Sequence, residues 1–139
     1  LAVGGAAALD TVAVWGGLMT AGAVANKHEG AVLMGGVRDL IEIRRDYDFP
    51  VFAKTVTPGT TLGRFKTLSS NKPVQMGDVT VHPGDLIIGD VDGVVCVPQE
   101  HVEAVLELSV SIDSRELEQA KLIIASGSLR EGLAKYGRI

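Results

Sequence analysis

The chain is poor in cysteine and in aromatic side chains. Cys96 is its single cysteine among 139 residues, which excludes an intrachain disulfide and any metal site built from several thiolates. It sits in the apolar run 94–97 and reads as a small buried core residue. Aromatics make up only 4% of the chain, so the core has to be assembled from Val, Leu, Ile and Ala. A basic excess is missing as well: 13 Lys and Arg stand against 17 Asp and Glu, a formal net charge of −4. Without a basic stripe or a basic–aromatic cluster, nucleic acid is not an expected partner. There is no G-x-S-x-G, Walker A or H-E-x-x-H pattern. His28, His82 and His101 lie far apart, with no partner at ligand spacing. Residues 1–25 are apolar with Asp10 as their one charge. They lack a basic leading region and are rich in Ala and Gly, which argues against a signal or a lipid-facing helix.

What is present is a globular balance, 46% hydrophobic and 22% charged, with 17 glycines to make tight turns. The length suits one domain with a real core. Residues 1–3 read as the end of a strand and 4–11 as a small-residue loop. A helix is expected over 15–27, with Leu18, Ala21 and Ala25 inward and Gly30 closing it. A buried strand follows at 31–34, then a short helix at 39–46 with Leu40 and Ile43 inward. This strand–helix alternation predicts an α/β layer. A strand is expected at 49–53, with Pro50 marking an edge or a start. Another is expected at 62–68. Short β-branched runs at 74–76, 79–81, 86–88 and 94–97 are separated by Gly-Asp and Pro-Gly turns, which predicts a β-rich layer. Asp85, Asp90 and Asp92 are turn formers there, because their spacing fits no Ca²⁺ loop. Pro98 is placed as the first residue of a long helix over 99–125, and Ser128 with Glu131 forms a capping box for a last helix over 129–136.

The chemistry concentrates at 31–42, AVLMGGVRDLIE. A strand that breaks at Gly35-Gly36 and hands over to a helix is a frequent place for a site in α/β proteins. Arg38 offers a planar cation for two parallel hydrogen bonds to a carboxylate or enolate. Asp39 offers a hard oxygen ligand. Asp39 and Glu42 equally fit a variant capping box, so the same residues carry a structural reading. Upstream, Trp15-Gly16-Gly17-Leu18-Met19 opens the first helix. Its leading N–H groups lack backbone partners, and glycines leave room for a small anion.

Together these stretches resemble the RraA-like family, which contains class II 4-hydroxy-4-methyl-2-oxoglutarate aldolases and oxaloacetate decarboxylases. The family motif is an acidic residue, twenty residues, Arg-Asp, two residues, then Asp or Glu. The segments WGGLM, FPVFAKTVTP and VTVHPGDLIIGDVDGVVCVP resemble its flanking segments. Arg38, Asp39 and Glu42 keep the spacing, and Gly17 stands where the first acid is expected.

The resemblance implies an α/β fold, a three-layer β/β/α swivelling domain spanning residues 1–139 and lacking the leading part of the family's domain. It implies a cytoplasmic homotrimer or trimer-based oligomer with no membrane association. Its substrate would be a small 2-keto acid and its cofactor Mg²⁺ or Mn²⁺. The expected reaction is retro-aldol cleavage of 4-hydroxy-4-methyl-2-oxoglutarate to pyruvate, or oxaloacetate decarboxylation, through a pyruvate enolate. Asp39 would anchor the metal and Glu42 would order its waters. Arg38 would stabilise the enolate, and Gly16, Gly17, Leu18 and Met19 would form the carboxylate cradle, with the Leu18 and Met19 N–H groups donating. The alternative is a non-catalytic oligomeric regulator that binds a protein partner, like the ribonuclease E inhibitors of the same family.

Overall fold

Strand β3 (Ala31–Val37) is the spine of a parallel sheet. In this computed structural model, which describes residues 1–4 and 9–138, β1 (Ala2–Val3) and β2 (Ala13–Trp15) lie end to end along one side of it. Ala2 and Val3 pair with Val32 and Leu33, and Ala13 and Trp15 with Gly36 and Val37. Strand β4 (Val51–Val56) runs parallel along the other side. Helix α1 (Gly17–Ala25) follows β2 directly, and α2 (Leu40–Glu42) continues into a π turn at Ile43–Tyr47. Trp15, Ala23, Ala31, Leu33, Val37, Ile43 and Phe49 form the core. Ile43 is wholly buried, and the Trp15 and Phe49 rings stack at 6.3 Å.

One buried hydrogen-bond chain sets the rotation of α1. Trp15 Nε1 donates to Thr20 Oγ1 at 2.8 Å, and that hydroxyl donates to Gly16 O at 3.1 Å. The chain satisfies both polar groups inside the core, where an unmet one costs about 1–3 kcal/mol. It also turns Gly17, Thr20 and Ala23 inward. The expected inward set is therefore corrected: Leu18 is 87% exposed, Ala21 is half-buried and Ala25 is exposed. Trp15 belongs to β2, not to the helix. The helix ends at Asn26, where Lys27 takes the left-handed conformation (φ 60°), so Gly30 does not close it.

The glycines at 35 and 36 do not break β3. A Cβ on Gly36 would lie 2.5 Å from Thr57 Cγ2 and 2.9 Å from Val12 O, so glycine lets flanking segments close on the strand from both sides. The 4–11 loop prediction falls partly on residues 5–8, which lie outside the described residues; Leu9–Thr11 is a 3₁₀ turn. No strand forms over 62–68, where Leu62 and Leu68 are exposed and the backbone turns at 62–64.

The β-rich runs do form strands. β5 (Val74–Met76) and β6 (Val79–Val81) make an antiparallel hairpin through Gly77 at φ 63°, and β7 (Leu86–Gly89) pairs with β8 (Val94–Val97). Asp85 and Asp90 act as turn formers. Asp85 Oδ2 accepts from the His82 N–H at 2.7 Å, and Asp90 Oδ1 from the Asp92 N–H at 2.8 Å. Cys96 is half-buried, not a sealed core residue, and its thiol donates to Asp85 Oδ2 at 3.7 Å.

The chain divides into two compact units, Leu1–Cys96 and Val97–Ile139. In the second, Pro98 (ψ 139°) is a non-helical cap before a 3₁₀ turn, not the first residue of the long helix. Helix α3 (Val102–Ser126) ends at Gly127 in the left-handed conformation. Ser128 Oγ accepts from the Glu131 N–H at 3.2 Å and so caps α4 (Leu129–Tyr136), but the return half of the predicted capping box is replaced: the Ser128 N–H donates to Ser126 Oγ at 3.2 Å.

Candidate active site

The carboxyl ends of β2 and β3 lie side by side, and each opens onto a helix. That is where ligands gather in parallel α/β sheets, because the loops leaving neighbouring strands form a crevice. The Arg38 N–H donates to Trp15 O at 3.0 Å, which fixes Arg38-Asp39 next to Gly16-Gly17. Asp39 then adopts the left-handed conformation, φ 59° and ψ 28°. Few side chains tolerate that region, and aspartate is one of the better ones.

This turn aims the Asp39 carboxylate away from its own helix. It makes no side-chain cap bond on α2; instead its Oδ2 accepts from the Gly17 N–H at 3.0 Å. The capping-box reading of Asp39 is thereby replaced by a cap on α1, 22 positions earlier in the chain. Arg38 Nε stands 3.4 Å from the same oxygen, and both side chains are partly exposed. A screened pair of that kind contributes little stability, about 0–1 kcal/mol, so its geometry is more informative than its energy.

Both cradle positions lie close against the side chains of their neighbours, which a Cβ would have to displace. A Cβ on Gly16 would lie 2.9 Å from Arg38 Nε and 2.9 Å from Asp39 Oδ2. A Cβ on Gly17 would lie 2.8 Å from Glu42 Oε1. Leu18 and Met19 follow in the first turn of α1, and the first intrahelical bond is Thr20 N–H to Gly16 O at 3.0 Å. Their N–H groups therefore precede the helical ladder and have no acceptor within it.

Arg38 lines two adjoining depressions. One, of about 70 Å³, is bounded by Trp15, Gly16, Leu18, Met19, Thr60 and Thr61 among others. The other is an open cleft of about 550 Å³ bounded by Asp39, Val56, Thr57 and Pro58. The sequence motifs brought forward Gly16, Gly17, Leu18, Met19, Arg38, Asp39 and Glu42, and the fold gathers all seven around the start of α1. No site role was assigned to the wall that follows β4: Thr57-Pro58 ends the FPVFAKTVTP segment, and its place after a parallel strand beside β3 was the available signal.

The donor set suits a particular kind of cation. Among the described residues there is no cluster of three or more His, Cys, Asp or Glu side chains able to hold a metal. Asp39 Oδ2 and Glu42 Oε1 nevertheless both lie within 3.7 Å of the Cβ position of Gly17. Two carboxylates fit a hard divalent ion such as Mg²⁺, which keeps several waters and takes further ligands from its substrate.

Comparison with known proteins identifies the family. Residues 1–96 match the family model described as RraA-like: Aldolase/RraA. Protein DlpA of Legionella pneumophila is 35% identical over 118 residues, 85% of this chain and 19% of DlpA. A Halalkalibacterium halodurans protein named "Putative 4-hydroxy-4-methyl-2-oxoglutarate aldolase" is 38% identical over 81 residues, 56% of this chain and 36% of that protein. The crystal structure of Streptomyces coelicolor RraAS2, described as an unusual member of the RNase ES inhibitor RraA protein family, shares the fold. Its TM-score is 0.77 at 22% identity, over 88% of this chain and 61% of that one. The chain thus spans only part of the length of each of these relatives.

Proposed function

The chain belongs to the RraA-like family, and from that premise we propose that it is a divalent-metal-dependent lyase acting on a 2-keto acid. The observation that carries this reading is the meeting of Asp39 and the open start of α1 at Arg38, which lines both depressions. The N–H groups of Leu18 and Met19, with Gly16 and Gly17 leaving space, receive the substrate carboxylate at the positive end of the helix. Arg38 faces the keto oxygen. Asp39 and Glu42 are the residues that would hold Mg²⁺ or Mn²⁺, Glu42 chiefly through the ion's waters. When bound, the ion supplies positive charge to the carbonyl group.

In the retro-aldol direction, the C4 hydroxyl passes its proton to water as the C3–C4 bond breaks, and C4 becomes the carbonyl carbon of the second product. The electron pair of the broken bond moves into the enolate of pyruvate, and a proton then adds at C3. Oxaloacetate reaches the same enolate by loss of CO₂. Arg38 stabilises the charge that appears on the enolate oxygen, and a fixed donor of this type is worth about a hundredfold or more in rate. The Asp39–Gly17 bond holds the carboxylate in place before substrate arrives, so little reorganisation accompanies the reaction.

The deciding experiment is pyruvate release from oxaloacetate with Mg²⁺ or Mn²⁺, repeated in EDTA, against the metal-only background. Metal-dependent turnover that disappears in Arg38→Ala is the expected result. A second reading, a non-catalytic oligomeric regulator of a protein partner, draws on Gly17, which puts no carboxylate where the family motif has one. A folded protein with no turnover above background would favour it.

A further inference from the structure

We propose that Arg64 receives the second carboxylate of a 2-keto dicarboxylic acid and so selects that substrate class over 2-keto monocarboxylic acids. The inference deepens the reading above and rests on its placement of the keto acid at Arg38. The loop after β4 is tied to β2: the Ala13 N–H donates to Gly59 O at 2.7 Å. A Cβ on Gly59 would lie 2.5 Å from Thr11 O, so the loop runs close against that backbone. Gly59 stands between Pro58, which lines the open cleft, and Thr60, which lines the smaller depression. The chain then turns back, with the Arg64 and Phe65 N–H groups both donating to Thr61 O, at 2.9 and 3.0 Å. This turn returns the Arg64 guanidinium to the start of the loop, with Nη1 3.6 Å from the Cβ position of Gly59. A second arginine therefore stands beside the loop that borders both depressions lined by Arg38.

The two arginines differ in what they already hold. Arg38 Nε is 3.4 Å from Asp39 Oδ2, and the reading above gives Arg38 the keto oxygen. Arg64 is exposed and has no ion pair among the described residues. Its free guanidinium offers parallel N–H donors that match a carboxylate. Val56, Thr57 and Pro58, which line the open cleft, carry no charge. A keto acid whose first carboxylate lies at the start of α1 thus finds its second cation in Arg64.

Calorimetric titration of the full chain in Mg²⁺ tests this by comparing 2-oxoglutarate with 2-oxopentanoate, which has a methyl group in place of the second carboxylate. Neither acid carries the C4 hydroxyl that cleavage needs, so binding is read without turnover. Wild type is expected to favour 2-oxoglutarate about tenfold or more, the usual worth of a hydrogen bond between charged groups. Arg64→Ala is expected to bring the two affinities to near parity. Arg64→Lys should keep part of the preference, because it keeps the charge but not the planar fork, and Arg64→Glu should reverse it. Circular dichroism establishes that each variant is folded. The proposal is overturned if wild type binds 2-oxoglutarate no better than 2-oxopentanoate, or if the preference survives in Arg64→Ala and Arg64→Glu. It is equally overturned if Arg64→Ala weakens both acids by the same factor, since Arg64 would then only shape the loop. Oxaloacetate turnover by the wild type separates the two claims. The expected preference without turnover sinks the lyase reading alone. Turnover without a preference that depends on Arg64 sinks this proposal alone.

Discussion

Asp39 Oδ2 accepts a hydrogen bond from the Gly17 N–H at 3.0 Å, so a carboxylate at the mouth of one helix caps another. The bond ties the acid proposed to hold the metal to the helix start proposed to receive the substrate. Structural and chemical roles therefore meet in one side chain, and substitutions at position 39 can pull them apart.

Asp39→Ala removes both the acceptor and the charge. It should lower stability by about 1 kcal/mol, the usual cost of losing a helix cap, and lower turnover by about a hundredfold or more. Asp39→Asn keeps an acceptor and tolerates the left-handed backbone. It should unfold in urea close to wild type, yet lose as much turnover as the alanine variant. An asparagine variant with wild-type turnover would remove the carboxylate from the reaction.

Gly16 tests the cradle without substituting a charged residue. A methyl group there would lie 2.9 Å from both Arg38 Nε and Asp39 Oδ2. Both neighbours are partly exposed side chains that can swing outward. Gly16→Ala is therefore expected to fold, with a stability change of about 1 kcal/mol or less, while turnover falls at least about tenfold because the two groups no longer meet. Urea denaturation alongside the pyruvate assay checks both halves.

The features legible in sequence were those fixed by neighbours along the chain. The Gly77 hairpin, the Ser128 cap, the turn-forming aspartates and the Arg38-Asp39-x-x-Glu42 spacing all depend on residues a few positions apart. What escaped was set by distant contacts. Trp15 sits in a run of small apolar residues that continues into a helix, and only its pairing with Val37 makes it a strand residue. Gly35-Gly36 reads as a break until Thr57 and Val12 are seen closing on it. Leu18, Leu62 and Leu68 are apolar yet exposed, so hydrophobic pattern alone assigned the wrong face to α1 and a strand to a loop. The target of the Asp39 carboxylate was hidden for the same reason, since its own helix offers an equally plausible cap.

Gly36 provides a stability test just behind the cleft wall that Thr57 lines. Its Cβ would meet Thr57 Cγ2 at 2.5 Å and Val12 O at 2.9 Å, and the second of these is backbone that cannot rotate away. Gly36→Ala should cost about 1–3 kcal/mol through overpacking, read as a lower urea midpoint with unchanged slope. Thr57→Ala in the same background would remove the nearer contact, and should return only part of the loss because Val12 O remains.

Cys96 gives a pH-dependent outcome. Burial, then the Asp85 carboxylate beside it, push its thiol above the ordinary cysteine value. The folded protein therefore holds this proton at pH values where the unfolded chain has begun to release it. Stability linked to Cys96 is complete below the unfolded thiol's pKa and is lost as pH rises through the folded one. Cys96→Ala should flatten this alkaline decline without moving the urea midpoint's pH dependence below neutrality. Iodoacetamide should also alkylate the native thiol at pH 8 more slowly than the urea-unfolded chain after allowance for urea's own effect on the reagent, because the thiolate is the reactive form. Asp85→Asn keeps an acceptor for the His82 N–H and removes the charge. It should speed native alkylation only partway toward the unfolded rate, since burial is the larger of the two causes. Native labelling as fast as the unfolded rate would mean that neither burial nor Asp85 holds the proton on Cys96.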